Sequence, residues 1–255
     1  MEIKGTAIKS KLGVALAIAI VVSLVIGALL GWLVFETLEK GVAPPDEPYF
    51  PAINPAKFTN VIDNDYLPWT PGTKTVFEQT VGGQEHTEVT VLNDTKVVMG
   101  VTCVVVRDTV SLNGAVIEDT YDWYAQDDEG NVWYFGEDSK GYKGGEVVST
   151  AGSWEAGVDG AMPGIVMLSH PEVGLSYRQE YFKGEAEDMA VVVSLNESAV
   201  VEYGSLHDLL MTSEWTPLEP RVVEHKWYAA GIGVVLEQTV RGGSERVELT
   251  QVIQN

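Results

Sequence analysis

Residues 122–137 read DWYAQDDEGNVWYFGE. In this stretch, two runs of aromatic and β-branched residues flank a polar turn, residues 127–131, that contains Gly130. Such runs favour strands, and a short polar turn with a glycine between them is typical of a hairpin. Because side chains alternate along a strand, Trp123 and Tyr124 should point to opposite faces. The stretch therefore predicts an antiparallel hairpin with one ring of each aromatic pair in the core and the other outward or lining a pocket.

The same β-rich texture continues through the chain after residue 58. Runs of β-branched and apolar residues recur at 87–91, 104–106 and 234–236, and turn signals such as Asn113-Gly114 separate them. No stretch after residue 40 keeps a helical period over ten residues. Residues 58–255 are therefore predicted to form an all-β domain.

An internal repeat indicates how that domain is organised. Residues 92–98 (LNDTKVV) parallel residues 195–201 (LNESAVV), and the WYA at 123–125 recurs at 227–229, about 103 residues later in both cases. A sheet from one repeat alone is too small to bury its apolar face. The prediction is a duplication, with repeats at 68–138 and 171–253, whose antiparallel sheets form a sandwich or a half-open barrel.

Residues 139–170 match neither repeat and are rich in glycine. A glycine-rich segment of this length inside a compact domain is typical of a functional loop or lid. Trp154 and Met162 within it indicate that the segment packs against the domain. It is predicted to be a connecting loop that covers a cavity.

The N-terminus carries a predicted membrane anchor. Residues 12–35 contain no charged residue, and as a helix they are long enough to cross a hydrocarbon core of about 30 Å. Three lysines precede the segment, so residues 1–11 are predicted to be cytoplasmic and the domain extracytoplasmic, giving a single-pass protein of the cell membrane. Residues 36–57 contain five prolines and should form an extended spacer. The alternative is a signal peptide that is cleaved after Ala43.

Two features of the composition bear on partners. The formal net charge of −21 excludes a nucleic acid as partner, because the surface repels phosphates. Gly27 and Gly31 have the small-xxx-small spacing that lets two membrane helices approach, a weak indication of a homodimer.

Cys103 is the only cysteine, so it cannot form an intramolecular disulfide, and its valine-rich strand favours a buried, unreactive thiol.

No catalytic set, cofactor motif or transition-metal site is recognisable. The chain lacks the Gly-x-Ser-x-Gly turn of many serine hydrolases, and its four histidines are isolated from one another. Asp119 should face away from Glu118 and Asp122 on their strand, but carboxylates are too numerous to select a pair. The acidic loops 127–131 and 185–188 are candidate calcium sites, although the first fits a hairpin turn equally well. Asn93 and Asn196 lie in glycosylation sequons or serve as turn residues.

The aromatic residues of the two matching hairpins and the connecting segment are the remaining candidates for a ligand site. Packing in the core is the alternative interpretation for each of them. The predicted ligand-binding residues are Trp123, Tyr124, Trp133, Tyr134, Trp154, Met162, Trp227 and Tyr228.

Residues 122–137, together with residues 152–161 and Pro163-Gly164, resemble a family of uncharacterised secreted or membrane-anchored prokaryotic proteins. The likeness extends over about residues 58–250. The resemblance implies a β-rich fold and a location in the cell envelope, and it implies no activity. More loosely, the two halves look like the β-repeats of bacterial envelope proteins with half-barrel folds of the lipoprotein-carrier type, a likeness of fold alone.

Three hypotheses follow for the function. The first is a membrane-tethered extracytoplasmic binding domain for an apolar or amphiphilic small molecule. The second is a structural or interaction protein of the cell envelope, dependent on calcium in one version. The third is a hydrolase built on paired carboxylates, for which two such side chains would have to converge in a cleft.

Overall fold

A computed structural model describes residues 49–254, and it contains sixteen β-strands and no α-helix in that range. A 3₁₀ turn at Pro55–Lys57 precedes the first strand. The strands are β1 (Phe58–Thr59), β2 (Thr73–Val81), β3 (Glu85–Val98), β4 (Val101–Leu112), β5 (Ala115–Asp127), β6 (Val132–Lys143), β7 (Glu146–Ser149), β8 (Trp154–Glu155), β9 (Met162–Met167), β10 (Ser176–Arg178), β11 (Glu180–Tyr181), β12 (Met189–Val201), β13 (Gly204–Trp215), β14 (Val223–Ala229), β15 (Gly233–Arg241) and β16 (Arg246–Gln254). The all-β prediction is confirmed.

The predicted anchor at residues 12–35, with Gly27 and Gly31, lies outside the described residues. So does all of the spacer 36–57 before Tyr49. Between residues 49 and 254, no helix has the length and apolar character needed to span a bilayer.

The strands form one antiparallel sheet that curls into a nearly closed barrel. Its order is β10-β12-β13-β14-β15-β16-β2-β3-β4-β5-β6-β9-β11, with β1 paired to β5 and with β7 and β8 paired to β6. The two ends of this order, β10 and β11, follow each other along the chain, with β10 on β12 and β11 on β9. The short segment 176–181 therefore joins the two edges of the sheet. Of the two predicted forms, the barrel is observed and the sandwich is not.

The barrel contains two meanders, the first formed by β2–β6 and the second by β12–β16, with similar features at similar places. Gly72 donates a backbone hydrogen bond to Val91 at 2.9 Å, and Gly174 donates one to Val192 at 2.8 Å. Both glycines have positive φ, 87° and 92°, which a side chain would disfavour. The meanders fit the predicted duplication, which itself stays a prediction.

Residues 139–170 contain strands where a connecting loop was expected. They include the end of β6 and all of β7, β8 and β9, and each of those three strands pairs with β6. Glycines with positive φ, Gly144, Gly145, Gly157 and Gly160, make the turns between these strands. The segment therefore extends the sheet beside β6.

A bulge in β6 determines which side chains of the opening hairpin face inward. Asp122 pairs with Glu137 and Tyr124 pairs with Tyr134, so β6 has one more residue than β5 over this interval. The extra residue falls at Gly136, whose φ of 126° is nearly confined to glycine. As a result Tyr134 reaches the barrel interior, while Phe135 is fully buried and packs on Phe58 with ring centroids 5.5 Å apart.

The packing of Cys103 agrees with its predicted role. Its side chain is fully buried in the larger of two apolar clusters. Burial raises the pKa of the thiol to about 12. The predicted burial of this cysteine is confirmed.

Candidate functional site

The barrel encloses a partly open cavity of about 260 Å³. Strands from both meanders line it, and only Val166 comes from residues 139–170. A cavity of this size holds a small organic molecule. The sequence predicted an apolar cavity, and this one is lined by aromatic, aliphatic and carboxyl side chains together.

One end of the barrel is closed by the chain that precedes β2. Leu67 and Trp69 lie against the cavity there. Asn64 holds this segment in place, because its amide donates hydrogen bonds to the carbonyls of Gly130 and Leu168. The side-chain oxygen of Gln126 accepts the backbone N–H of Asn64 and that of its preceding neighbour, both at 3.0 Å. Hydrogen bonds of Asn64 and Gln126 thus hold the closed end in place, while the buried indole N–H of Trp69 has no partner.

Aromatic rings form the wall next to this closed end. The rings of Tyr124 and Tyr134 are stacked, with centroids 4.8 Å apart and planes 18° from parallel. Trp69 lies on Tyr124 at 5.7 Å. All three rings line the cavity. They give this part of the wall an apolar surface.

Carboxyl groups form the next layer toward the other end. Asp108 on β4 pairs with Thr120, and Val106 pairs with Asp122 on β5. Asp108 and Asp122 are therefore diagonal neighbours on the inner face, a relation that places Cβ atoms about 7–8 Å apart. Asp108 and Asp122 are 6% and 1% exposed, whereas Glu118, near the start of β5, is only partly buried. Burial thus increases from Glu118 inward.

Asp108 is the least satisfied group of this layer. Its Oδ1 atom is buried and has no hydrogen-bond partner, although the side chain lines the cavity. Burial, together with repulsion from Asp122 and Glu118, raises the pKa of Asp108 well above its usual value. Asp122 differs because the hydroxyl of Tyr134 donates to its Oδ1 at 2.7 Å. Burial still raises the pKa of Asp122 to about 7, against the lowering effect of that hydrogen bond.

A buried ion pair lies on the wall formed by the second meander. Lys226 Nζ is 3.0 Å from Glu214 Oε2, with side chains 14% and 8% exposed. Glu214 also accepts hydrogen bonds from the hydroxyls of Thr212 and Tyr228, at 2.8 and 3.1 Å. Burial alone would lower the pKa of Lys226, but the field of Glu214 and Glu237 raises it well above its usual range. The neighbouring carboxylates therefore favour the charged form of Lys226.

Three of the eight predicted ligand-binding residues line the cavity: Tyr124, Tyr134 and Tyr228. Trp123 faces away from it, as alternation predicted, with Lys96 Nζ 3.4 Å from its ring centre. Whether the three tyrosines bind a ligand stays a prediction.

The other four predicted residues have different neighbours. Trp133 donates to Asp127 at 2.8 Å and Trp154 donates to Glu180 at 3.1 Å. Met162 lies on β9 and is partly buried, and Trp227 lies beside His225. None of the four lines this cavity.

Sequence reasoning missed the interior carboxylates and Lys226. Alternation did place Glu118 and Asp122 on one face of the strand and Asp119 on the other. In the structure, Asp119 forms a bidentate ion pair with Arg107, with distances of 2.6 and 2.9 Å. It could not say which face is the inside of a barrel. Lys226 could have been found from the sequence, because it is a lysine within a strand that also contains acidic and aromatic residues.

The two acidic loops use their carboxylates for their own backbone. Asp127 accepts the backbone N–H groups of Glu129 and Asn131, and Gly130 has a φ of 90°, as a hairpin turn requires. In the second loop Glu187 accepts from Gly184 at 2.7 Å. No three His, Cys, Asp or Glu side chains between residues 49 and 254 are grouped so that they could hold a metal ion. Calcium binding stays a prediction without a described site.

Acidification from pH 8 to pH 5 should raise the melting temperature of the ligand-free protein. The pKa of Asp122 is about 7 in the folded protein and that of Glu118 is also about 7, both through burial, against ordinary values of 3.8 and 4.5. The folded state thus holds protons that the unfolded chain releases. This stabilisation is complete below about pH 4 and is lost as the pH rises through 7.

Differential scanning calorimetry between pH 5 and pH 8 measures this dependence. The variant Asp122→Asn should show a shallower dependence, while Asp119→Asn, which alters an outward-facing ion pair, should retain it. A melting temperature that rises from pH 5 to pH 8 in the wild-type protein would contradict the assignment.

Comparison with known proteins yields similarity of fold only. No protein-family model matches the chain, and no curated protein sequence matches it. A crystal structure from Bacteroides fragilis, provisionally described as an exported protein with a YmcC-like fold, is similar with a TM-score of 0.44 and 14% identity, over 75% of this chain and 100% of that one. A crystal structure provisionally described as a lipoprotein, from Parabacteroides distasonis, has a TM-score of 0.40 and 11% identity, with the same coverage. At this level of similarity, neither structure assigns a function to this chain.

Proposed function

We propose that this chain is a membrane-tethered, extracytoplasmic binding protein that holds a small molecule inside its barrel. The observation that carries the proposal is Asp108, a side chain that lines a cavity of about 260 Å³ and whose buried Oδ1 has no hydrogen-bond partner. A buried acceptor without a donor costs about 1–3 kcal/mol, and more when it is charged. A ligand that supplies the donor recovers this free energy, so the arrangement favours the bound state.

The membrane tether and the extracytoplasmic location are proposed from the sequence. The uncharged segment 12–35 provides the anchor, and the spacer 36–57 is long enough to hold the barrel clear of the lipid surface. The acidic surface of the chain is repelled by anionic headgroups, which favours the same arrangement. The ligand would then reach the barrel from the aqueous side.

A carboxylate-based hydrolase is the main alternative, because carboxyl groups do converge in the cavity. Such an enzyme needs an acid and a base whose environments move their pKa values apart. Here burial raises the pKa values of Asp108, Glu118 and Asp122 alike. None of these three carboxyl groups is shifted in the opposite direction, so binding is preferred over catalysis.

Replacing Val110 by tryptophan should abolish retention of the ligand. Val110 lines the cavity on the inner face of β4 and is only partly buried, so an indole there fills the cavity with little disturbance of the core. Native mass spectrometry of the full chain, purified from its own membranes, measures any small molecule that remains bound.

The matched control is Val97→Trp, at a position on β3 that is 62% exposed. The wild-type protein and this control should both carry a molecule that Val110→Trp lacks. A wild-type protein that carries nothing would overturn the proposed function.

A further inference from the structure

The charges that line the cavity are unbalanced. Eight carboxyl side chains line it in the described part of the chain, and the only cation among the lining residues is Lys226. That lysine already pairs with Glu214 at 3.0 Å. The first meander supplies four of the eight carboxyl groups, namely Glu85, Asp108, Glu118 and Asp122, and supplies no cation. This wall of the cavity therefore favours positive charge in its occupant.

The carboxyl groups and the aromatic rings are arranged in sequence along the cavity. Glu118 is partly buried, Asp108 and Asp122 are almost fully buried, and Tyr124 and Tyr134 follow them toward the closed end. Carboxylates attract a cation and accept its N–H groups. The stacked tyrosine rings add apolar surface that can cover the body of a ligand. Together these layers suit a molecule that has both a cationic head and an apolar body.

The alternatives fit less well. A neutral apolar molecule would leave Asp108 Oδ1 without a donor, and an anion would meet a wall of carboxyl groups. A bare metal ion would need three or more converging ligands, and no such group exists among residues 49–254. An ammonium group with N–H donors provides what this wall lacks.

We infer that the ligand is an organic ammonium ion whose N–H groups bind Asp108 and Asp122 and whose apolar body lies against Tyr124 and Tyr134. This inference rests on the proposed binding function and names the chemical class of its ligand. A cationic ligand also ionises the carboxyl groups around it, so its binding releases protons and strengthens between pH 6 and pH 8.

Isothermal titration calorimetry at pH 8 on the full chain in detergent tests the class with three probes of similar size. The probes are phenethylamine, 2-phenylethanol and 3-phenylpropanoate, which differ chiefly in charge. Phenethylamine should bind at least about tenfold more tightly than 2-phenylethanol, because a charge-assisted hydrogen bond replaces a neutral one. The anion should not bind measurably.

Two variants distinguish binding at Asp108 from a nonspecific attraction of the cation to the acidic protein. Asp108→Asn should weaken phenethylamine binding at least about tenfold without lowering the melting temperature, because Oδ1 of the wild-type residue has no partner to lose. Asp119→Asn should leave binding unchanged, since that carboxylate lies outside the barrel with Arg107. If Asp108→Asn does not fold, Asp122→Asn serves in its place.

The outcomes distinguish the inference from the proposed function. If 2-phenylethanol or the anion binds as tightly as phenethylamine, the ammonium class is wrong, while binding in the barrel stands. The same holds if native mass spectrometry finds a neutral or anionic molecule in the wild-type protein. If no probe binds, the ammonium class is wrong; if nothing is retained from the membranes, the binding function is overturned and the class with it.

Discussion

Replacing Lys226 by methionine lowers the free energy of unfolding at pH 8.5 by about 3–5 kcal/mol, the usual effect of removing one partner from a buried ion pair. The ion pair with Glu214 is nearly inaccessible to solvent. Its removal leaves Glu214 with only the hydroxyls of Thr212 and Tyr228 as donors. Glu237 loses the same neighbouring cation, and burial already raises its pKa.

The loss should be smaller at pH 5. Burial raises the pKa of Glu224, a neighbour of Lys226, to about 8, and that of Asp188 to about 6. These groups bind protons on acidification, and a neutral carboxyl group needs no cation beside it. Urea denaturation followed by tryptophan fluorescence, at pH 8.5 and at pH 5, measures both values.

The control is Lys74→Met, which removes a partly exposed ion pair with Glu88. Pairs of this kind contribute less than about 1 kcal/mol. The double variant Lys226→Met with Glu214→Leu should recover part of the loss, because it leaves one fewer unpaired charge inside the barrel. Equal stability of Lys226→Met and wild type at pH 8.5 would show that the carboxyl groups around Lys226 are neutral there.

Replacing Gly136 by alanine lowers the stability by about 3 kcal/mol or more, which corresponds to about 10 °C in the melting temperature of a domain of this size. The φ of 126° at this position is nearly inaccessible to a residue with a side chain. A Cβ atom there would also collide with the carbonyl oxygen of Trp154 and lie 2.9 Å from the Cα of Glu155. Strand β8 would have to move away from β6 to accommodate it.

Gly114→Ala separates these two effects. Gly114 has a φ of 77°, and a Cβ atom there would meet nothing within 4 Å. Its substitution should therefore cost only the strain of a positive φ, about 1 kcal/mol. Calorimetry of both variants measures the difference. Similar melting temperatures for the two would mean that the bulge at Gly136 tolerates a side chain.

The parts of the fold that follow from local chemistry could be predicted from the sequence. The hairpin at 122–137, the turn at Gly130, the burial of Cys103 and the placement of Asp119 on the face opposite Glu118 and Asp122 all depend on neighbouring residues and on alternation. The closure of the barrel does not depend on such neighbours. It relies on β10 and β11, of three and two residues, which are too short for any periodic pattern.

The inside of the cavity could be predicted only in part, for a related reason. Alternation states which residues share a face, but both faces of the strands are buried over much of the barrel, as Val105 and Val106 show. The chain also contains so many acidic residues that the sequence does not distinguish the carboxyl groups lining the cavity from those on the surface. The bulge at Gly136 adds a change of register that no regular alternation contains.

The pairing of β16 with β2 has a consequence for the synthesis of the protein. Thr250 donates to the carbonyl of Val76, a contact between residues 174 positions apart in the chain. At about 5–20 residues per second, the ribosome supplies the partner of β2 roughly 10–30 s after β2 itself. Until then the edge of β2 that will pair with β16 stays exposed, and an exposed strand edge can pair with other chains.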